Sequence, residues 1–403
     1  MKKLPLVLFL ICMTSCVSTT PPAKEKASLQ PPPAIAKEPL SIAVQTVEKL
    51  ATEERKTTAP EYGELLSDVS VSASSFNPKA GQKMSISYTL SNKAEVKANI
   101  YDPDLALVRT LASDGSQAPG RHSFVWDGKD QNGVVVPDEA YFFTIWAYGP
   151  EGTKQAYDPT LFSGGEGRDI TQADIDPISK AITYRLPVLS RVLVRLGVQD
   201  GPLLNTLVDW KPRVAGEITE HWDGRDKDDI IDLLNHRRFK MLITYFTLPD
   251  NSIITYGNTE SGYRAYKKSI KAPRPVKERP ARPGVVVSPH YQLPRTVDYS
   301  PNLEMTFPDV ERNESGDTPV LKDRALTKVD IDEEDKSFFV NQQYEITFFL
   351  DTEFYTEQEV GYAPFNWVWD LSDVAEGEHI LTVNMSGFKD QIGVLSKKIK
   401  IVK

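Results

Sequence analysis

The residues after position 66 alternate between apolar and polar side chains in short runs, which is the pattern of half-buried β-strands. Met84, Ile86, Tyr88 and Leu90 are apolar, and the residues between them are serine or threonine. Similar runs follow at residues 96–100, 124–126, 141–147, 182–186, 192–196 and 239–245. Turn-forming segments such as NPKAG, APG and DQNG separate several of these runs. This spacing predicts an all-β chain of antiparallel β-sandwiches.

A repeated motif divides this pattern into two copies. WDGKDQNG begins at Trp126, and WDGRDKDD begins 96 positions later, at Trp222. When the copies are aligned without a gap, the following residues coincide: Tyr88 with Tyr184, Leu90 with Leu186, Val96 with Val192, Gly120 with Gly216 and Asp130 with Asp226. Chance does not align so many tyrosine, tryptophan and glycine positions, so the sequence indicates an internal duplication.

The repeated motif predicts a buried aromatic anchor followed by a tight turn. The residues expected to anchor the cores are Tyr88, Trp126, Tyr184, Trp222 and, in a third unit, Trp369. The Asp-Gly pair after each tryptophan predicts the turn, because glycine tolerates positive φ and aspartate binds its own backbone. These pairs are Asp127-Gly128 and Asp223-Gly224.

Calcium binding is the alternative interpretation of these turns. Asp127, Asp130 and Asn132 precede Gly133, and this order has some similarity to a calcium-binding loop. Their spacing misses the alternate-residue pattern of such loops, and the second copy lacks the glycine. No metal and no other cofactor is therefore predicted.

The second copy departs from the first after Asp226. The segment DKDDIIDLLNHRRF replaces the NG turn and its proline, and the best alignment of Tyr141 with Phe239 implies two extra residues there. We expect residues 228–238 to form a short helix, with Ile231 and Leu234 facing the core.

The stretch WDGKDQNGVVVPDEAYFFTIWA resembles the Ig-like domain of the flagellar hook-capping protein family. In that family the WDG-D-NG motif is followed by proline, glycine and tyrosine. Pro137 and Tyr141 match this pattern, whereas Glu139 replaces the glycine. The resemblance covers residues 66–158 and, less fully, residues 170–262, and it implies two Ig-like β-sandwiches in tandem. The same module recurs in many exported proteins unrelated to flagella, so it indicates a fold more than a function.

A third unit is expected at residues 328–403. Its APFNWVWD and GEHILTVNMSG segments resemble a bacterial Ig-like domain, which implies a third antiparallel Ig-like β-sandwich. Residues 263–327 precede it and are rich in proline and basic side chains in their first half. The composition of this first half predicts an extended, solvated linker. The alternative is that its basic residues bind an anionic partner. The remainder, up to about residue 328, holds Tyr291, Tyr299, Leu303, Met305 and Phe307 and is either a long loop packed along a domain or partly disordered.

The N-terminus resembles a bacterial lipoprotein signal. Two lysines precede a short apolar stretch, and the sequence MTSC that ends at Cys16 is similar to a lipobox. The resemblance implies a signal peptide at residues 1–15 and a lipid on Cys16 that anchors the chain to a membrane. Residues 16–65 are predicted to be a flexible, disordered tether. Because Val17 rather than aspartate follows the cysteine, the resemblance also implies the outer membrane of the cell envelope.

Composition and motif content argue against several classes of function. The net charge of −9 and the pI near 5.3 argue against binding to nucleic acid. Cys12 and Cys16 are the two cysteines, so no disulfide is expected after cleavage of the signal. The five histidines lack the spacing of a metal-binding pair, and no G-x-S-x-G motif occurs. We therefore predict that the chain is not an enzyme.

The sequence favours a membrane-tethered scaffold or adaptor that binds another envelope protein, because β-sandwiches offer edge strands and end loops for such contacts. The alternative is a module that binds peptidoglycan or a surface polysaccharide through exposed aromatic side chains. The candidate binding-surface residues are Trp146, Trp210 and Trp367. Trp210 is the strongest of the three, because Asp114 holds the equivalent position in the first copy.

Overall fold

The computed structural model describes residues 65–260, 262–310, 318–339 and 342–403. The predicted signal peptide, the lipid on Cys16 and nearly all of the predicted tether lie outside these residues. Within them the chain is almost entirely β-structure in mainly antiparallel sheets, as the alternation of apolar and polar residues predicted. No helix in the described part of the chain is long and apolar enough to span a bilayer.

The strands of the described residues are numbered in chain order. The first eight are β1 (Leu66–Val71), β2 (Ser75–Phe76), β3 (Met84–Leu90), β4 (Ala94–Tyr101), β5 (Leu107–Gln117), β6 (Gly120–Trp126), β7 (Ala140–Tyr148) and β8 (Lys154–Tyr157). The next eight are β9 (Gly167–Ile170), β10 (Ala173–Asp176), β11 (Ala181–Leu186), β12 (Ser190–Val198), β13 (Leu203–Arg213), β14 (Gly216–His221), β15 (Phe239–Thr247) and β16 (Ile253–Thr255). The last eight are β17 (Leu303–Thr306), β18 (Val320–Lys322), β19 (Arg324–Ile331), β20 (Tyr344–Leu350), β21 (Glu353–Gly361), β22 (Phe365–Asp370), β23 (Gly377–Gly387) and β24 (Ile392–Val402). Short helices are α1 (Tyr263–Ser269), α2 (Pro289–Gln292) and α3 (Glu333–Phe339), and two 3-10 turns lie at Pro150–Gly152 and Pro159–Leu161.

These strands form three β-sandwiches, each around its own hydrophobic core. Sandwich 1 combines the sheet β1-β3-β6 with the sheet β2-β16-β7-β4-β5, and β8 pairs with β7. Sandwich 2 combines β10-β11-β14 with β13-β12-β15-β9. Sandwich 3 combines β17-β19-β22 with β18-β24-β23-β20-β21. Strand β3 illustrates why the chain folds in this way, because every second side chain in it is buried.

The strand register repeats between sandwiches 1 and 2. Leu90 lies opposite Gly120 in the first sandwich, and the residues 96 positions later, Leu186 and Gly216, lie opposite each other in the second. Further along, β4 pairs with β7 and β12 pairs with β15 in the same way, but the partner residues on β15 are displaced by 98 positions from those on β7. The two extra residues therefore lie between β14 and β15, where the sequence implied them.

The loop that holds these extra residues is not the predicted helix. Residues 228–238 form turns, and Ile231 and Leu233 rather than Leu234 are the buried apolar residues. The carboxylate of Asp226 accepts hydrogen bonds from the backbone N–H groups of Ile230 and Ile231, both at 2.6 Å. Because an aspartate that satisfies the local backbone competes with helix formation, the segment keeps a turn like the one around Asp130 in the first copy.

Two predicted boundaries differ from the pairing of the strands. Residues 170–262 were expected to form the second sandwich, but β16 inserts between β2 and β7 of sandwich 1. Residues 263–327 were expected to be a linker, but β17 and β18 belong to the sheets of sandwich 3. The strands that cross the predicted boundaries have only three or four residues. In strands so short, the alternation of apolar and polar residues does not indicate which strand they pair with.

Candidate functional site

Residues 263–302, called the strap below, lie against the sandwiches instead of forming a solvated linker. The backbone N–H of Leu107 donates to the carbonyl of Pro275 at 2.8 Å, and that of Lys277 donates to the carbonyl of Leu105 at 2.9 Å. The basic side chains of Arg274 and Arg282 are buried. The predicted spacer is therefore wrong, because the basic residues pair with carboxylates that lie far away in the sequence.

Glu139 lies at the centre of the junction between sandwich 1, sandwich 2 and the strap. Its carboxylate is 2.5 Å from Nη2 of Arg191 on β12 and 3.2 Å from Nε of Arg295 on the strap. The side chains of Glu139 and Arg191 are only 3% and 4% exposed. Arg191 also donates to the carbonyl of Trp210 at 3.1 Å, and Arg295 donates to the carbonyl of Asp209 at 3.0 Å. The residue that replaces the family's glycine thus joins three parts of the molecule.

The charge on Arg295 is maintained despite its burial. Burial disfavours the cation, but the nearby carboxylates of Glu139, Asp298 and Asp209 outweigh this effect and raise the pKa of the guanidinium above its ordinary value. A buried guanidinium that keeps its charge requires these partners, so the triad of Glu139, Arg191 and Arg295 acts as a unit.

A second buried pair joins the strap to the repeated turn of sandwich 1. The Asp130 carboxylate accepts hydrogen bonds from the backbone N–H groups of Asn132 and Val134, at 2.9 and 3.0 Å. It also accepts from the hydroxyl of Tyr266 at 3.2 Å and forms an ion pair with Arg274. The guanidinium of Arg274 therefore occupies the place beside Asp130 that the calcium interpretation would give to a metal ion.

Helix α1 contributes a third contact with sandwich 1. The ammonium of Lys267 is 2.8 Å from the carboxylate of Asp102, which is fully buried. The hydroxyl of Tyr263 donates to Asp104 at 2.9 Å. Burial raises the pKa of Asp102 above its ordinary value, although the charge of Lys267 opposes this. Six strap side chains are bound to acidic residues of sandwich 1, those of Tyr263, Tyr266, Lys267, Arg274, Lys277 and Arg295.

His290 joins the strap to sandwiches 2 and 3. Its Nδ1 is 2.5 Å from Asp298, and its Nε2 is 3.6 Å from Asp390 in the turn between β23 and β24. Its ring packs against Trp210 at a centroid distance of 4.4 Å. Arg195 of β12 is 3.0 Å from Asp390. Burial lowers the pKa of His290, but the hydrogen bonds and charges of the two aspartates outweigh it and raise the pKa to about 9.

The His290→Gln variant is expected to be less stable than the wild type near pH 6 and nearly as stable at about pH 10. With an ordinary pKa of 6.5 and a folded-state pKa of about 9, protonation of His290 stabilises the fold fully below 6.5, and this stabilisation is lost as the pH rises through 9. Urea unfolding of both proteins across this pH range measures the difference. The exposed His221→Gln variant is the control, and a difference for His290→Gln that stays constant with pH would contradict the expectation.

Sandwiches 2 and 3 also contact each other directly. The side-chain amide of Asn384 accepts from the backbone N–H of Leu203 at 2.9 Å and donates to its carbonyl at 2.8 Å. The N–H of Ser396 donates to Asp228 at 2.6 Å. Sandwiches 2 and 3 are therefore joined by hydrogen bonds between side chains and backbone groups, in addition to the ion pairs of the junction.

The five predicted anchors, Tyr88, Trp126, Tyr184, Trp222 and Trp369, are all buried. In the two copies the indole N–H groups make equivalent bonds: Trp126 donates to the carbonyl of Lys129 at 3.0 Å, and Trp222 donates to that of Arg225 at 2.8 Å. The backbone is in the left-handed region at both glycines of the predicted turns, Gly128 and Gly224.

The predicted turn aspartates bind their own turns. Asp127 accepts from the N–H of Lys129 at 3.1 Å, and Asp223 accepts from that of Arg225 at 3.0 Å. Glycine is required at position 128 for a further reason, because a Cβ atom there would lie 2.3 Å from Cβ of Pro78. These residues therefore stabilise their own turns.

The three tryptophans of the candidate aromatic binding surface differ in exposure, and each packs against another side chain. Trp210 is only 3% exposed and packs against Phe246 and His290. Trp146 is half-buried and covered by the ammonium of Lys154, 4.2 Å from its ring centroid. Trp367 stacks on Trp369 at 5.0 Å and packs against the core of sandwich 3. Trp210 packs against His290 of the strap, whereas Asp114, at the equivalent position of the first copy, is exposed.

An open cleft of about 590 Å³ lies where sandwiches 1 and 2 meet the strap. Asp138 and Tyr256 line it from sandwich 1, Lys211 and Arg213 from sandwich 2, and Arg264 and Tyr299 from the strap. The Glu139–Arg295 pair forms part of its wall. Sequence reasoning missed this cleft, because its residues come from segments about 160 positions apart, from Asp138 to Tyr299.

Comparison with known proteins defines a class for sandwich 1. Residues 73–150 match the family model of the FlgD Ig-like domain. The basal-body rod modification protein FlgD of Salmonella typhimurium is 34% identical over 98 residues, which are 24% of this chain and 40% of that protein. The same protein from Salmonella typhi gives the same values. Sandwich 1 is therefore similar to a flagellar hook-capping Ig-like domain, and the chain spans about 40% of the length of the curated relatives it matches.

Solved structures add little beyond this similarity. The structure of FlgD from P. aeruginosa is 24% identical, covers 28% of this chain and 82% of that chain, and has a TM-score of 0.19. The fibronectin(III)-like modules of Clostridium thermocellum CbhA are 11% identical, cover 83% of this chain and 94% of that one, and have a TM-score of 0.17.

Proposed function

We propose that this protein is a non-catalytic lipoprotein of the bacterial cell envelope, a membrane-tethered scaffold or adaptor that binds another envelope protein or assembly. The observation that carries the proposal is the junction of the three sandwiches. Its buried ion pairs connect Glu139 and Asp130 of sandwich 1 to residues of other segments, Arg191 on β12 and Arg274 on the strap. Such pairs restrict the motion of the sandwiches relative to one another. The binding surfaces of the three sandwiches therefore keep a fixed arrangement, as a scaffold requires.

The comparisons support the class of partner. The relatives that match sandwich 1 are named basal-body rod modification proteins, and similarity to them suggests partners in a protein assembly. A protein assembly is therefore the first class of partner to test, including one related to flagella. The resemblance of the segment that ends at Cys16 to a lipobox supports a lipid on that cysteine, and Val17 after it supports the outer membrane as the place where the lipid holds the scaffold.

The anchor is tested by replacing the cysteines one at a time. The Cys16→Ala variant is expected to lose incorporation of labelled palmitate and to leave the membrane fraction, because it lacks the thiol that would carry the lipid. The Cys12→Ala variant is the matched control and is expected to keep both properties. Equal labelling of the two variants would contradict the lipoprotein part of the proposal.

The scaffold role is tested by mild crosslinking in native envelopes, followed by purification through a C-terminal tag and mass spectrometry. One recurrent protein in near-stoichiometric amount supports the proposal. If peptidoglycan or polysaccharide fragments co-purify and no protein recurs, the scaffold function is wrong and the glycan-binding alternative replaces it. The burial of Trp210 removes the residue that favoured that alternative most.

A further inference from the structure

The cleft between sandwich 1, sandwich 2 and the strap has the chemistry of a binding site for an anion. We propose that it binds a carboxylate on an acidic peptide segment of the envelope partner, a proposal that rests on the scaffold function above. Its volume of about 590 Å³ lies within the range of clefts that enclose most of a small ligand. It therefore has room for an acidic side chain together with neighbouring backbone.

The positive charge of the Lys211 ammonium is the one that the carboxylate of the ligand would neutralise. Four cationic residues line the cleft, and three of them already have a carboxylate partner: Arg213 pairs with Glu220, Arg264 with Asp335 and Arg295 with Glu139. Among the described residues, no carboxylate forms a salt bridge with the exposed side chain of Lys211. The cleft thus presents one uncompensated ammonium beside guanidinium groups, and its concave shape focuses their field.

The carboxylates that line the cleft do not supply the missing charge. Glu139 is shared between Arg191 and Arg295. Asp138 accepts hydrogen bonds from the backbone N–H groups of Gly257 and Asn258, at 3.0 and 2.7 Å. Glu139 is therefore paired with arginines, and Asp138 is held by backbone N–H groups and forms no salt bridge with Lys211, so the Lys211 ammonium remains available to a carboxylate from outside.

One negative charge fits this site better than two. A phosphate dianion is held by several charge-assisted donors, but the guanidinium groups of Arg213 and Arg264 are already bound to Glu220 and Asp335, at 2.7 and 2.9 Å. A single ammonium matches a single carboxylate. The class of ligand is accordingly a carboxylate rather than a phosphate.

A peptide fits the walls better than a sugar. The ring of Tyr299 is covered by the guanidinium of Arg264 at 4.1 Å, and Tyr263 is buried with its hydroxyl bound to Asp104. Tyr256 is the lining aromatic that stays open, at 46% exposed. One open ring offers an apolar contact for an aliphatic side-chain stem, whereas the stacking faces that a sugar would use are occupied.

The probe for the first test is a fluorescein-labelled hexaglutamate peptide, and its binding to the purified full chain is followed by fluorescence polarisation at low ionic strength. The Lys211→Gln variant is expected to bind it about tenfold more weakly, and the Lys211→Glu variant to lose binding. Lys93→Glu is the matched control, since it makes the same charge change on an exposed lysine of the β3–β4 turn and is expected to bind as the wild type does.

Three results would overturn the proposal. The first is unchanged binding by the Lys211 variants, and the second is equal weakening by Lys93→Glu, which would indicate net charge alone. The third is displacement of the peptide by inorganic phosphate at lower concentrations than by acetate, which would assign the cleft to a different anion.

Crosslinking in envelopes separates this proposal from the scaffold function. Recovery of the partner with Lys93→Glu and its loss with Lys211→Glu supports both. Equal recovery with the two variants overturns the cleft as the contact and leaves the scaffold function standing. Failure of the wild type to recover any recurrent partner overturns the scaffold function, and the hexaglutamate measurement then decides for or against the cleft as a carboxylate site.

Discussion

The Glu139→Ala variant is expected to lose about 3–5 kcal/mol of its free energy of unfolding. The substitution removes the carboxylate that Arg191 and Arg295 share and leaves two buried guanidinium groups without their common partner. The cost of an uncompensated buried charge exceeds that of the lost hydrogen bonds, because the charge cannot be hydrated. Equilibrium unfolding in urea measures the change, and the wild type and variant are compared at the same pH.

The controls separate the ion triad from the mere loss of a side chain. Glu139→Gly restores the glycine of the hook-capping pattern and is expected to cost as much as Glu139→Ala, because the two arginines remain. Glu217→Ala, on the exposed face of β14, is expected to change the free energy of unfolding by no more than about 0.5 kcal/mol. A loss below about 1 kcal/mol for Glu139→Ala would show that water reaches the arginines and that the triad does not hold the junction.

The strands and the duplication were predictable because both depend on local patterns. Alternation of apolar and polar residues is a property of neighbouring positions, and strand β3 follows it throughout. The displacement of 98 positions between β7 and β15 follows from matching Tyr141 with Phe239 in the sequence. The helix expected at residues 228–238 was wrong because one carboxylate, that of Asp226, satisfies the local backbone.

The junction was not predictable because its pairs are remote in sequence. Composition correctly marks the strap as basic and rich in proline, but it does not indicate that Arg274 meets Asp130, 144 positions away. The replacement of glycine by Glu139 was visible in the sequence as a departure from a family pattern. Its consequence depends on the positions of Arg191 and Arg295, which only the folded chain brings together.

Trp210 illustrates the same limit for the candidate site. A tryptophan without a counterpart in the first copy was a reasonable candidate for an exposed surface. Its actual neighbours, Phe246 and His290, lie 36 and 80 positions further along, and no local pattern in the sequence indicates that they meet Trp210. The packed strap therefore covers a tryptophan that its lack of a counterpart had marked as a surface candidate.

The Arg274→Met variant is expected to release the middle of the strap. Its guanidinium pairs with Asp130, and the two side chains are 4% and 2% exposed. Removal of the cation leaves Asp130 as a buried, unpaired carboxylate, which costs about 3–5 kcal/mol. If the strap detaches from sandwich 1, water hydrates that carboxylate, but the other contacts between the strap and sandwich 1 are lost. We therefore expect the strap to detach more often in the variant than in the wild type.

Trypsin detects this opening at Lys277. Arg274, Arg279 and Arg282 each precede proline, which protects them, whereas Lys277 precedes Glu278. In the wild type the Lys277 ammonium is 2.7 Å from Asp158, so the bond after it is held against sandwich 1. We expect cleavage there to be about tenfold faster or more in Arg274→Met than in the wild type, because cleavage follows the population of the open form.

Lys271→Met is the matched control for this measurement, since Lys271 lies three residues away on the exposed side of the strap. It is expected to leave both the urea midpoint and the rate of cleavage after Lys277 unchanged. If Arg274→Met lowers the free energy of unfolding without faster cleavage at Lys277, the strap opens only with the whole molecule, and the junction is a single cooperative unit. If neither quantity changes, the ion pair with Asp130 does not hold the strap, and the fixed arrangement on which the scaffold function rests loses one of its supports.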